Sequence, residues 1–224
     1  MTRKIRRNPL TKLAKQAFAD QDKLLLNEMR KAEERYDFEA AAFALSEWTG
    51  RGHEEMRAHG LRVIADYVRA EFENASDALE WLVSKNRRLG VWCACAVARE
   101  ALECVPKRND RPRIAIETTE DWVRGKVTKR KVINADNDVT AVLNYDDEIF
   151  FGASSAASYA AWTAWTNDPI SAVVSARKTA YLSAKTEAAV SGGYLSSDDV
   201  QSRLVDVVAD AIMTFPQKRA KRRT

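Results

Sequence analysis

Few residues of this chain pair a chemistry-bearing side chain with a useful spacing. The two histidines, His53 and His59, come first. His53-Glu54-Glu55-Met56-Arg57 begins like the helical zinc-protease motif, in which two histidines four apart hold the metal and a glutamate activates water. Arg57 stands where the second histidine belongs. On a helix the step from His53 to His59 turns through about 240°, so the imidazoles face apart. Cys93, Cys95 and Cys104 have no second cysteine cluster to complete a zinc site. Two positions on a helix turn through about 200°, so Cys93 and Cys95 neither share a metal nor bridge readily. Their expected role is that of small apolar side chains in a reducing cytosol. Nothing near these alanine-flanked cysteines supports a Cys-His nucleophile pair.

Two groups of charges remain. Asp136, Asp138, Asp146, Asp147 and Glu148 form an acidic cluster. Asp136-Asn137-Asp138 opens like a calcium loop, but glycine is missing at the sixth position and glutamate at the twelfth. A solvated acidic loop is expected, able to steer a basic partner surface at long range. The second group is a cluster of cations at each end: Arg3, Lys4, Arg6 and Arg7, then Lys218, Arg219, Lys221, Arg222 and Arg223. The chain carries +4, yet Asn8 to Gln217 holds 27 basic against 32 acidic residues. Residues 1–7 and 216–224 are therefore expected to be disordered basic arms, suited to nucleic-acid phosphates if they bind anything. No glycine-rich phosphate loop occurs, and no catalytic residue, metal or cofactor is assigned.

Any site must be positioned by helices. Glycine and proline supply 8 and 5 of the 224 residues, and alanine supplies 35. A chain poor in turn residues and rich in the best helix former points to an all-α, multi-helix globular bundle. Residues 8–83 form an expected N-terminal helical region. Within it, Asn74 or Ser76 opens a short helix through Leu79, Trp81 and Leu82. Leu89 to Val105 follows and is stopped by Pro106. Asp110, Pro112 and Gly125 punctuate the next helix as cap, first-turn proline and C-terminal glycine. In 126–148, β-prone Val127, Val132, Ile133, Val139, Val142 and Leu143 flank a polar cluster, so a short β-hairpin or ordered loop is expected there. Ala153 to Trp165 and Pro169 to Val190 read as an alanine-rich antiparallel pair joined at Asn167-Asp168-Pro169. Ser196 with Asp199 reads as a capping box opening the last helix.

Ile149 to Asn167 carries no charge over 19 positions, close to the length a bilayer requires. Its alanine, serine and threonine content makes lipid insertion unfavourable, and a buried helix is expected. The N-terminus is basic without an apolar stretch behind it, so a cytoplasmic protein with no membrane contact is expected. Of the six tryptophans, Trp162 and Trp165 are i, i+3 neighbours among small residues, which points to one of them at an interface.

Trp92 to Leu102, Asn109-Asp110-Arg111-Pro112-Arg113-Ile114-Ala115-Ile116-Glu117, and Trp122-Val123-Arg124-Gly125 together resemble a family of immunity proteins of bacterial polymorphic-toxin systems, the Imm5-like group. The similarity runs from about residue 89 to 185, within a region taken as 84–215. Residues 126–148 are interposed relative to that family, and nothing before about Ser84 has a counterpart in it. The resemblance implies a non-catalytic protein that binds and blocks a toxin or other effector by occlusion, and a phage-type counter-defence inhibitor is a close variant. On that view Asp136, Asp138, Asp146, Asp147 and Glu148 meet a protein effector, with Arg111 and Arg113 contacting it or pairing with nearby carboxylates. The alternative is a nucleic-acid-associated helical protein using its basic arms. A homodimer is left open.

Overall fold

A computed structural model describes residues 54–104, 109–143, 147–192 and 194–216. The basic arms, His53, Trp48, Asp146 and the helices expected before Glu54 lie outside the described residues. The chain divides into two compact units, Met1–Val63 and Ile64–Thr224. The first is described only from Glu54. Apart from the start of the helix that crosses from one to the other, all further structure concerns the second.

The described residues form eight helices and no strand. They are α1 (Glu54–Glu71), α2 (Ala75–Lys85), α3 (Arg87–Glu103), α4 (Arg111–Val123), α5 (Lys129–Thr140), α6 (Glu148–Trp165), α7 (Pro169–Val190) and α8 (Ser197–Met213). Local chemistry sets most of their ends. The Asn74 side chain accepts from the Asp77 amide and starts α2, and Asn86 likewise accepts from Leu89 to start α3. Gly125 follows α4 at φ 75°, where a side chain would be strained. The Gly125 amide donates to Trp122 and that of Lys126 to Asp121, the paired bonds of a Schellman ending. Asp168 accepts from the amides of Ile170 and Ser171 ahead of Pro169, and the Ser196–Asp199 capping box forms reciprocally. Asp110 departs from expectation. It occupies the cap position of α4 without a side-chain cap bond, and Asn109 accepts from the Arg111 amide instead.

α3 is the hub, packed by α2, α4, α6, α7 and α8. The middle of this helix is buried nearly all round: Val91, Cys93, Ala94, Cys95, Val97, Ala98 and Ala101 are all fully buried, and its charged residues stand toward the two ends. Arg87 at its start donates to the carbonyls of Thr163 and Thr166, satisfying the open C-terminal end of α6. Burial pushes the Cys93 and Cys95 thiols well above their usual range.

The described residues of 126–148 form no hairpin, and α5 (Lys129–Thr140) stands at the centre of that stretch. Val132, Ala135, Asp136 and Val139 are its buried residues, at i, i+3, i+4 and i+7. β-branching costs a helix only about 0.7 kcal/mol per residue or less. Packing against α4 and α6, where Ala115, Ala135 and Val139 cluster, outweighs that cost.

α6 and α7 form the most extensive helix contact among the described residues. They run antiparallel, since Tyr159 meets Lys178 while Glu148 meets Lys185. Ala153, Ala156, Ala157, Ala160 and Ala161 on α6 are fully buried, as are Ala176, Ala180 and Ala184 on α7. Buried hydroxyls in this pair bond back along their own helices: Thr163 to Tyr159, Ser175 to Ser171, Thr179 to Ser175 and Thr186 to Leu182. No helix of the described residues is long and apolar enough to cross a membrane.

Candidate functional site: an aromatic furrow between two helices

The acidic group expected to face solvent is split by the fold. Asp136 is only 5% exposed, because it lies on the buried face of α5 rather than in a loop. Its carboxylate accepts from the Ser158 hydroxyl and, at 2.8 Å, from the Trp165 indole Nε1. Burial pushes its pKa up, and these two hydrogen bonds oppose the shift. Asp138 is exposed on α5. Asp147 is consumed as the α6 cap, accepting from the Phe150 amide, and exposed Glu148 pairs with Lys185 at 3.1 Å. Arg113 is engaged with Asp110, while the Arg111 guanidinium lies 3.5 Å from the Asp138 carbonyl. Among the described residues the expected acidic surface therefore retains Asp138, Asp147 and Glu148, and Asp136 is withdrawn from it. Among the described residues no three His, Cys, Asp or Glu side chains converge to hold a metal ion.

The residues that carry the family resemblance are occupied with packing. Arg99 Nε donates to Glu120 at 2.8 Å, and Arg124 bonds the same carboxylate at 3.3 Å. The Arg124 guanidinium lies 4.8 Å from the centre of the Trp92 ring, and the Trp92 indole donates to the Ala211 carbonyl at 3.0 Å. These contacts join α3, α4 and α8.

The surface feature with binding character lies elsewhere. A groove of about 390 Å³, open to solvent, runs between α6 and α7 beside the end of α5. Tyr159 and Trp162 line it from α6, Lys178 and Tyr181 from α7, and Thr140 and Leu143 from the end of α5. Tyr159, Trp162 and Trp165 follow one another at i, i+3 and i+6. Their rings are nearly parallel, with centroids 6.0 Å and then 5.7 Å apart. Asp136 grips the Trp165 end of this row. At the other end the Lys178 ammonium sits 4.9 Å from the Tyr159 ring centre and 3.3 Å from its hydroxyl. Trp162 is 39% and Tyr181 54% exposed, and Ile170 and Val174 continue the apolar surface of α7.

Sequence reasoning placed an interface tryptophan at Trp162 or Trp165 but passed over Tyr159, Lys178 and Tyr181. The i, i+3, i+6 aromatic row was available as a signal. Its partners across the groove were not, because they depend on how α7 folds back on α6. Neither family models, nor curated proteins, nor solved structures yield a match to this chain.

Proposed function

We propose that this protein acts by stoichiometric binding, seating a protein partner against a pre-formed helical scaffold and occluding it, as an immunity protein or counter-defence inhibitor does. The observation that carries this reading is the α6–α7 groove, where Trp162 and Tyr181 stay exposed along its lining. Exposed aromatics on a rigid support are the usual anchors of protein interfaces. The motifs Trp92 to Leu102, Asn109 to Glu117 and Trp122 to Gly125, read as resembling toxin-immunity proteins, are in keeping with this reading and supply its class of partner. The test begins with capture of the full chain's partner from its native host. That partner is then expressed alone and together with this chain. Growth arrest by the partner, relieved by the chain in a one-to-one complex, is expected. A partner harmless to the cell, or a toxicity that the chain leaves unchanged, overturns the reading.

The nine cations of the two arms favour a second reading, nucleic-acid association. It requires DNA or RNA affinity that falls steeply with salt and collapses when residues 1–7 and 218–224 are deleted. Fluorescence anisotropy with a labelled duplex measures both.

A further inference from the structure

We propose that the furrow between α6 and α7 receives an amphipathic helix of the partner, about three turns long, which places an acidic side chain against Lys178. This inference rests on the binding role proposed above and names the chemistry that the site selects.

The shape comes from two helix faces. Along α6 the furrow is lined at Phe151, Ser155, Tyr159 and Trp162, which repeat at i, i+4, i+8 and i+11. At 1.5 Å per residue that stripe extends over about 16 Å, or three turns. Along α7 it is lined at Lys178, Tyr181 and Leu182. A smaller hollow that shares Phe151 and Leu182 extends it to Lys185 and Ala189. Two antiparallel helices that both present such stripes to one trough offer the ridges and grooves into which a third helix packs. An apolar trough of this kind is read by residues at i, i+3 or i+4, and i+7 of the incoming helix.

The charge comes from α7. Arg177 is taken up by Asp77 and Glu80, at 3.4 and 2.7 Å, and Lys185 by Glu148. Lys178 differs, because it faces no carboxylate among the described residues and rests on the Tyr159 ring and hydroxyl. An ammonium held over an aromatic wall, in a groove whose other lining residues are apolar or carry hydroxyls while the Glu148–Lys185 pair stays in the smaller hollow, complements a glutamate or aspartate set among apolar anchors. A basic helix would be repelled there.

The test selects a displayed library of helix-forming 16-residue peptides against the full chain. Enriched peptides are expected to carry apolar residues at i, i+3 or i+4, and i+7 with an acid between them. Trp162→Ser is expected to weaken the selected peptides roughly tenfold or more, as loss of an aromatic anchor does. Lys178→Glu is expected to reverse the charge preference, so that peptides with lysine in place of the acid bind better than the parents. Far-UV circular dichroism checks that both variants fold. Selected peptides without this pattern, or binding indifferent to both substitutions, overturn the proposal. So does a dimer in light scattering that Trp162→Ser dissolves, since the occupant would then be a second copy. A chain that selects such peptides yet relieves no toxicity keeps the helix site and loses the effector reading. A chain that protects cells equally well with Trp162→Ser and Lys178→Glu keeps its function and loses the site.

Discussion

Among the described residues no cation pairs with Asp136, and neutral donors hold its carboxylate inside a helical core: the hydroxyl of Ser158 and the indole of Trp165. It holds Trp165, on which Trp162 stacks, so a largely buried side chain sets the orientation of the exposed aromatic row. Its burial has a consequence for stability. Because desolvation raises its pKa, the folded protein binds this proton more tightly than the unfolded chain does. The resulting stabilisation is complete below the ordinary aspartate pKa and is lost as pH rises through the raised, folded-state value. Asp136→Asn removes that titration. It can still accept from Trp165 while its amide donates to a rotated Ser158 hydroxyl, so the row stays in place. The melting temperature of wild type relative to Asp136→Asn is expected to fall with rising pH across the acidic range and to level off near neutrality. Glu187 is also raised by burial but is common to both proteins and cancels. A flat difference would mean that Asp136 is not buried as described. Asp136→Ala leaves two donors without a partner and is expected to cost about 1–3 kcal/mol in denaturant unfolding.

At the scale of elements, close packing rests on small residues, and Gly90 is the sharpest case. A Cβ there would lie 2.4 Å from Val83 Cγ2 and 2.8 Å from the Val83 Cα, so α2 backbone occupies the space. Alanine normally improves a helix interior over glycine by about 1 kcal/mol. At position 90 the clash is expected to outweigh that gain and leave Gly90→Ala about 1–3 kcal/mol less stable than wild type in urea unfolding. A variant as stable as the parent would refute the α2–α3 contact. The same contrast separates what was legible in the sequence from what was not. The helix ends at Gly125, at Asp168-Pro169 and at Ser196–Asp199 were readable because a few adjacent residues determine each one. α5 was misread because Val132, Ile133 and Val139 favour strands weakly, and only its neighbours α4 and α6 decide the matter. The expectation of a solvent-facing Asp136 failed for the same reason, since an acid in a loop and an acid on the buried face of a helix have opposite fates. Tyr159 and Lys178 could not be paired from the sequence, because nothing local fixes the register of α7 on α6.

For the whole molecule, the enclosure of α3 by five helices makes its interior a gauge of how the second unit opens. Cys93 and Cys95 sit at its centre with no exposed surface, whereas Cys104 lies just past its C-terminal end and is partly exposed. A thiol must ionise and meet the reagent to react, and burial opposes both for the inner pair. Burial also raises the Cys104 pKa, so this thiol is expected to react with an aromatic disulfide more slowly than a free cysteine but without unfolding. Cys93 and Cys95 have no partial route, since exposing either means detaching several helices at once. They are expected to label together, on the order of a thousandfold or more slower than in the unfolded chain. Their rate is expected to rise with urea in step with the global unfolding transition. Mass spectrometry of timed samples distinguishes the outcomes: one modification early, then two more arriving as a pair. If one of the inner thiols labels early and alone, α3 is not enclosed, and the α6–α7 furrow loses the rigid support that a pre-formed helix site requires.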